Sequence, residues 1–248
     1  MREEKKDFLR VAKHQLRTPL TLVKGYLSFM KSGDFQKFPA DKQKEIINKM
    51  VIESEKLNNL INDVFLSLQI RKGLKITPEP IQLKEFIENI YNQSLKPNYK
   101  KKGLILNIQQ DADSHGLDAD SCEQKDTETP LVINSDKFYL TIVIQKLLDN
   151  AEKYSTSEQV IDINIRKENN YAIIEIKDSG IGITEEEKPK IFERFFRGIE
   201  AKKNWSNGSG LSIDITKGII EILGGEFSIE SEGQNQGTRS IVKLPLTL

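Results

Sequence analysis

Residues 1–72 carry two long stretches in which apolar side chains recur every three or four positions. This spacing predicts two amphipathic helices, at about 3–32 and about 41–71, separated by the stop signal Ser32-Gly33-Asp34. The second helix has an unbroken heptad row, formed by Ile47, Met50, Ser54, Leu57, Ile61, Val64 and Leu68. Two consecutive helices with such stripes predict a helical hairpin.

A single hairpin of this kind buries only one face of its helices. Two copies related by a two-fold axis would close a four-helix bundle and bury both faces. The alternative is a monomeric hairpin that packs on the rest of the chain. The heptad row by itself leaves both arrangements open.

The pattern changes after residues 73–80, which hold Gly73, Pro78 and Pro80 and are predicted to form a linker. Residues 81–248 mix helical periodicity with short alternating stretches, which predicts one sheet covered by helices, an α+β arrangement. Helices are expected at 83–99, 136–154 and 211–223, and strands at 104–108, 131–133, 160–166, 171–177, 226–231 and 238–244.

Residues 110–129 are acidic and poor in apolar side chains, and they separate two predicted strands. We predict a mobile surface excursion there. It contains His115 and Cys122, but a metal or redox site would need more ligands close by in the sequence.

Composition narrows the class of protein. The chain has 37 Lys and Arg residues and 37 Asp and Glu residues, so we expect no nucleic-acid partner. Cys122 is the only cysteine, which excludes an intrachain disulfide and fits a cytoplasmic location. No apolar run approaches the roughly 20 residues that span a bilayer, so we expect no membrane contact in this chain. A sensor or membrane segment upstream of it remains open.

One of the two histidines lies in the tract Lys13-His14-Gln15-Leu16-Arg17-Thr18-Pro19-Leu20, inside the first predicted helix. The ring of Pro19 clashes with the carbonyl of Gln15, four residues earlier, and loosens the helix beside His14. An imidazole in such a place is a candidate nucleophile or proton carrier.

Two tracts in the second half could bind a nucleotide. Asn150, Lys153 and Tyr154 share a helix face, and they offer an amide oxygen for Mg²⁺, a cation for phosphate and a ring for a base. A solvated helix face is the alternative interpretation. In Asp178-Ser179-Gly180-Ile181-Gly182, a carboxylate at a strand end could accept a hydrogen bond from an adenine amino group. Asp and Gly are also typical of a simple tight turn.

Two further tracts follow. The aromatic residues of 191–197 would either anchor a lid or pack in the core, and Arg197 enters the next loop, where it could meet a terminal phosphate. The tract Asn207-Gly208-Ser209-Gly210-Leu211 is a glycine-rich turn that opens a helix. Amides at a helix N-terminus can cradle phosphate.

In this order and at these separations, the four tracts resemble the N, G1, F and G2 boxes of the histidine-kinase ATP domain. The His14 tract resembles the phosphoacceptor box of the sensor histidine kinases, and the resemblance covers nearly the whole chain from Phe8 to Pro245. It implies a helical hairpin that forms a dimeric four-helix bundle, followed by an α/β-sandwich ATP-binding domain of the Bergerat type. It also favours the homodimer over the monomeric hairpin.

The resemblance implies roles for individual residues. His14 would be the phosphoacceptor, and Gln15, Arg17 and Thr18 beside it are candidate catalytic residues. Arg17 and Thr18 are at the family's positions for local electrostatics and for placing water in a phosphatase reaction, and Gln15 could orient the His14 ring. Asn150 would bind Mg²⁺. Contacts to ATP are implied for Asn150, Lys153, Tyr154, Asp178, Gly180, Gly182, Arg197, Gly208, Gly210 and Leu211. The implied activity is ATP-dependent phosphorylation of His14, followed by transfer to an aspartate of a response-regulator receiver domain.

Three positions depart from the family pattern. Gln15 stands where an acid usually follows the histidine, Lys146 where Asn or Glu opens the N box, and Ser212 where a third glycine is usual. Lys146 is expected either beside the Mg²⁺ site or pointing away from it and paired with an acid such as Glu152 or Asp149. The departures leave open a slow kinase, a nucleotide-binding scaffold or mainly a phosphatase. An ATPase or a protein-serine kinase is a further alternative.

Overall fold

The computed structural model describes residues 2–95, 105–110, 130–155, 159–205 and 208–246. Helix α1 (Arg2–Lys31) and helix α2 (Ala40–Lys72) form the predicted hairpin and pack against each other. Gly33 reverses the chain with a φ of 86°, a backbone angle that glycine adopts without strain. Phe35 is buried in the short helical turn Asp34–Lys37, with its ring edge-on to that of Phe29.

The hairpin buries little of its own apolar surface. On α2 only Leu60 and Ser67 are buried. Large apolar side chains stay exposed along both helices and the turn between them: Leu9, Leu20, Leu22, Leu27, Phe38, Ile47, Val51, Ile52 and Phe65. A surface with this much apolar area is typical of a protein–protein interface.

The rest of the described chain forms two sheets covered by helices. In chain order the elements are β1 (Glu79–Gln82), α3 (Leu83–Ile90), β2 (Ile105–Gln110), β3 (Val132–Ser135), α4 (Lys137–Tyr154), β4 (Val160–Glu168), β5 (Tyr171–Asp178), α5 (Ile199–Asn204), α6 (Ser212–Ile222), β6 (Glu226–Glu230) and β7 (Thr238–Pro245). Strands β1 and β3 form an antiparallel pair. The main sheet has the order β2-β4-β5-β7-β6, with β2 parallel to β4 and the other pairs antiparallel. The predicted α+β fold is confirmed.

The core lies between this sheet and the helices α3, α4 and α6. Fully buried side chains come from every third or fourth position of the helices and from alternate positions of the strands: Leu140, Ile144, Leu148, Ile215, Ile219, Ile161, Ile163, Ile165, Ile174 and Ile176. Each such burial contributes roughly 1.5–3 kcal/mol, so these positions fix how α4 and α6 lie on the sheet.

Asp136 determines where α4 begins. Its carboxylate accepts a hydrogen bond from the backbone N–H of Tyr139 at 3.1 Å, as an N-cap does. The other oxygen accepts from the N–H of Thr77 at 2.7 Å. The segment that leaves the hairpin is therefore tied to the start of α4.

The structure also departs from the expected elements. Residues 79 and 80, assigned to the linker, belong to β1, and helix α3 ends at Ile90 with a π-helical turn, Tyr91–Leu95, after it. Helix α5 was not expected. The predicted excursion with His115 and Cys122 lies outside the described residues, apart from Gln110 at the end of β2. None of the helices that the described residues form has both the length and the hydropathy that a bilayer crossing requires.

Candidate functional site

A cavity of about 540 Å³ opens between the C-terminal half of α4, the end of β5 and the N-terminus of α6. Its volume is within the range of small-molecule sites. The structure brings eight of the sequence-predicted residues to its wall: Asn150, Lys153, Tyr154, Asp178, Gly182, Arg197, Gly208 and Gly210. Four tracts that are far apart in sequence therefore form one cavity.

Asp178 occupies the deep end of this cavity. It is only 8% exposed, and its Oδ1 accepts a hydrogen bond from the backbone N–H of Gly180 at 2.8 Å. Burial raises the pKa of its carboxyl to about 6, although hydrogen bonds from the N–H groups of Gly180 and Thr238 favour the ionised form. A buried acceptor of this kind suits a donor on a heteroaromatic ring.

The loop after Asp178 has no room for side chains at its two glycines. A Cβ on Gly180 would lie 2.4 Å from the carbonyl oxygen of Tyr154, so this glycine supports the wall from behind. Gly182 has a φ of +64°, and a Cβ there would lie 2.0 Å from the carbonyl oxygen of Gly233. Both glycines let the backbone run close to its neighbours beside the cavity.

Two cations converge at Gly208 on the other side of the cavity. A Cβ there would lie 2.6 Å from Lys153 Nζ and 3.3 Å from Arg197 Nε. Burial, and after it the positive charge of Arg197, lower the pKa of Lys153 to about 8. The Nε of Arg197 is buried and makes no hydrogen bond to any described residue. An unpaired donor on one of two neighbouring cations fits an anionic group such as phosphate.

Arg197 also holds the segment that covers this end. Its Nη2 donates to the carbonyl of Ala201 at 2.7 Å and to the carbonyl of Trp205. The Trp205 ring stands edge-on to the ring of Tyr154, with 5.4 Å between centroids. Residues 206 and 207 lie outside the described part of the chain. Segment 198–205, which contains helix α5, is therefore held against the cavity wall by Arg197.

The expectation for Leu211 is wrong for its side chain. Leu211 is fully buried in the core and does not reach the cavity, because the apolar residue before α6 packs on the sheet. Its backbone N–H donates to Ser209 Oγ at 3.1 Å. Ser212, the departure from the third glycine, does line the cavity.

A second cleft, of about 1090 Å³, separates the hairpin from the sheet domain. His14, Gln15 and Thr18 of α1 line it, and His14 is exposed. Arg17 is exposed but does not line this cleft. The other side of the cleft includes Arg197, Gly208 and Ser212, which also line the first cavity. The two spaces therefore adjoin at the cationic end of the first.

Lys146 faces this cleft rather than the cavity with Asn150. Its Nζ lies 2.5 Å from Asp63 Oδ1 on α2, so Lys146 pairs with an acid as one of the two alternatives expected, but with Asp63 rather than with Glu152 or Asp149. The second carboxylate oxygen of Asp63 accepts from Ser209 Oγ at 2.6 Å. Sequence reasoning missed Asp63 because it lies 83 residues from Lys146, beyond any local pattern.

The aromatic tract 191–197 has three different roles. Phe195, with a φ of 61°, packs against Phe8 of α1 with 5.3 Å between ring centroids. Phe192 meets Phe227 at 6.1 Å, within the sheet domain. Phe196 lines the first cavity. The tract thus joins the hairpin to the cavity, a role that its local pattern did not indicate.

Polar contacts reinforce this junction. Arg194 Nε lies 2.9 Å from Asp214 Oδ1, and Ser67 Oγ of α2 donates to Asp214 Oδ2 at 3.0 Å. The guanidinium groups of Arg71 and Arg194 stand 5.5 and 6.0 Å from the centroid of the Phe8 ring. Asp214 at the start of α6 therefore joins α2 through Ser67 and the aromatic tract through Arg194, and the two cations at Phe8 add to the junction between the hairpin and the sheet domain.

Two family models match the chain. Residues 4–73 match the His Kinase A (phospho-acceptor) domain. Residues 135–248 match the histidine kinase-, DNA gyrase B-, and HSP90-like ATPase. The second match implies that this domain binds ATP. Together they cover the hairpin and most of the sheet domain.

Individual proteins give the same assignment. The chain is 30% identical to the sensor protein SrrB of Staphylococcus aureus (strain N315) over 244 residues, which are 97% of this chain and 38% of that protein. Among solved structures, the Acinetobacter baumannii histidine kinase AdeS matches with a TM-score of 0.70 and 21% identity over 94% of this chain and 98% of that one. Histidine kinase ThkA, solved in complex with the response regulator protein TrrA, matches with a TM-score of 0.72 and 22% identity over 100% of this chain and 64% of that one. At these identities the two structures show the fold.

Proposed function

Because this chain belongs to the sensor histidine kinases of two-component systems, we propose that it phosphorylates its own His14 with ATP. The phosphoryl group then passes to an aspartate of a response-regulator receiver domain. The chain spans 38% of the length of the SrrB relative, so the proposal concerns only the part of a sensor that these residues form.

The observation that carries the proposal is the shared wall between the two cavities. Arg197, Gly208 and Ser212 line both the nucleotide cavity and the cleft that holds His14. A nucleotide with its base at Asp178 and its phosphates at Gly208 would present its terminal phosphate toward the cleft. The His14 imidazole and the bond to the terminal phosphorus would then lie in adjoining cavities.

We assign the residues as follows. Asp178 accepts from the adenine amino group, Tyr154 covers the base, and Lys153 and Arg197 meet the phosphates. Asn150, in the cavity wall, would supply a hard oxygen ligand to Mg²⁺. When bound, this ion would offset the charge of the phosphate oxygens.

The transfer is an in-line displacement. A neutral His14 nitrogen forms the new N–P bond as the bond from the γ-phosphorus to the bridging oxygen breaks, and ADP leaves. The other ring nitrogen gives up its proton to solvent or to a nearby base. Gln15 can orient the ring by hydrogen bonding but is a poor base, which favours a slow reaction.

The surface of the hairpin supports the two partners. The exposed apolar residues of α1 and α2 would be buried by a second copy in a four-helix bundle. ThkA, of similar fold, was solved in complex with a response regulator, and we propose such a partner for this chain by analogy. We assign residues 1–72 to the dimerisation and phosphoacceptor domain, 73–78 to the linker and 79–248 to the ATP-binding domain, because residues 79 and 80 belong to β1. A cytoplasmic location would supply both ATP and the receiver domain.

The second candidate is a dimeric scaffold that binds nucleotide, or a protein that acts mainly as a phosphatase. Gln15 and Ser212 favour it, because one removes a base beside His14 and the other adds a side chain to the cavity wall. Lys146 does not favour this second candidate, because its ammonium group pairs with Asp63.

Labelling with γ-³²P-ATP separates the candidates. We expect acid-labile label in the wild type, no label in His14→Gln, and the same nucleotide affinity in both, because His14 does not line the nucleotide cavity. Label that survives acid, or label at another residue in His14→Gln, would overturn the assignment. Nucleotide binding without label would support the scaffold, and free phosphate without His14 would indicate an ATPase.

A further inference from the structure

We propose that Asp63 is a positioning residue for the transfer to His14. Together with Lys146 and Ser209 it forms the Asp63 clasp, which holds the nucleotide domain of the chain over the cleft that contains His14 of the same chain. The inference rests on the proposed kinase function, and it names the contact that orients the two halves of that site.

Both carboxylate oxygens of Asp63 take part in the clasp. Asp63 Oδ1 lies 2.5 Å from Lys146 Nζ, and Oδ2 lies 2.6 Å from Ser209 Oγ. The side chains of Lys146 and Asp63 are only 18% and 15% exposed, so the pair is largely shielded from water. A planar carboxylate engaged through both oxygens restrains rotation as well as distance. A single contact would leave the two domains free to pivot about it.

The two partners of Asp63 are next to the residues assigned to metal and phosphate. Lys146 lies one turn of α4 before Asn150, and Ser209 stands between Gly208 and Gly210. Asp63, Lys146 and Ser209 all line the cleft with His14. A shift of the clasp would therefore move the phosphate end of the cavity relative to the imidazole.

Other contacts also attach the domain to the hairpin. The Phe8–Phe195 ring contact and the Ser67–Asp214 hydrogen bond attach α1 and α2 near the start of α6, and Leu60 and Ile70 of α2 pack on the core. Loss of the clasp would leave these contacts in place and remove the restraint beside the phosphate end of the cavity. Misplacement by about 1 Å can cost a reaction about 100-fold in rate, so the effect should appear in the transfer step.

The test compares Asp63→Asn, Lys146→Met and Ser209→Ala with the wild type in single-turnover labelling at saturating MgATP. We expect Asp63→Asn to lower the rate of His14 phosphorylation about 10- to 100-fold while MgATP affinity stays within about two-fold. The exchange variant D63K/K146D should recover at least about half of the loss on a logarithmic scale. Glu45→Gln is the matched control, because it removes an acid on α2 whose partner, Lys49, lies on the same helix.

Deuterium uptake in the absence of nucleotide gives a readout that does not need activity. Asp63→Asn should raise uptake at the turn 208–212 and in the middle of α4, and the exchange variant should restore protection at α4. If the wild type took up no acid-labile label, the kinase proposal would fail while this measurement still tested the clasp.

Three results would overturn the inference. An unchanged rate with unchanged uptake would mean that the clasp orients nothing. A faster reaction in Asp63→Asn would mean that the contact holds the domain away from His14. An exchange variant as slow as the more impaired single variant, or a loss confined to MgATP affinity, would mean that the residues act individually.

Discussion

The nucleotide cavity and the His14 cleft adjoin, yet they are built by different means. The cavity wall comes from short tracts whose residues are close in sequence, such as Asp178 with Gly182. The cleft comes from side chains of α1, α2 and α4 that meet when the domains dock. The first arrangement lies within one domain, whereas the second depends on how the two domains pack.

The largest expected effect is on dimer formation, which depends on the helical hairpin and not on the nucleotide cavity. Leu57→Glu with Ile61→Glu places two charges on the heptad row, where pairing with a second copy would bury them unpaired, at a cost of several kcal/mol. We expect light scattering to show a dimer for the wild type and a monomer for this variant, with nucleotide affinity unchanged because the cavity lies in one chain. Lys42→Glu, exposed on α2 and off the row, is the control and should remain a dimer. A monomeric wild type at micromolar concentration would refute the bundle.

The affinity for ATP is expected to depend on the buried carboxylate of Asp178. Asp178→Asn replaces one carboxylate oxygen with a donor, and the mismatch should weaken ATP binding by about 1–3 kcal/mol in calorimetry. The dimer should persist. Asp162→Asn, at an exposed position of β4, removes the same charge and should bind ATP like the wild type. Equal affinities for wild type and Asp178→Asn would remove Asp178 from the base pocket.

The affinity for ATP should depend on pH through two titratable groups of the cavity. The pKa of Asp178 is about 6, and an amino group that donates to it favours the ionised form, so affinity should fall as the pH drops through about 6. The pKa of Lys153 is about 8, and phosphate favours its charged form, so affinity should also fall as the pH rises through about 8. Asp178→Asn should flatten the acidic limb and Lys153→Met the alkaline one. If both variants kept the wild-type profile, the titration would belong to the nucleotide alone.

The Mg²⁺ dependence of ATP binding should not change when Lys146 is replaced. Because this side chain pairs with Asp63 and lies outside the cavity, Mg²⁺ titrations of ATP binding should superimpose for the wild type and Lys146→Asn. This expectation follows from the second of the two alternatives that the sequence left for Lys146, pairing with an acid. A variant with stronger metal dependence would return Lys146 to the Mg²⁺ site.

Local sequence patterns predict much of the secondary structure but not the contacts between the hairpin and the sheet domain. The helical hairpin and the pair β4–β5 follow from periodicity that a few residues define, and the structure confirms them. The partner of Lys146 could not be predicted, since Asp63 is one of many acids on an amphipathic helix. Leu211 was misassigned because a family motif does not say which of its side chains packs inward. Strand β1 was missed because Pro80 is unusual in a strand and is accepted here in a two-stranded pair.

Arg197 would give the proposed kinase cycle a direction. Its Nη2 donates to the carbonyls of Ala201 and Trp205 and its Nη1 to that of Gly208, whereas its Nε has no hydrogen-bond partner among the described residues. If the terminal phosphate accepts from Nε, transfer to His14 removes that acceptor and leaves a buried donor unpaired, at a cost of about 1–3 kcal/mol. Segment 198–205 would then be held less firmly over ADP than over ATP, and ADP would leave faster than ATP.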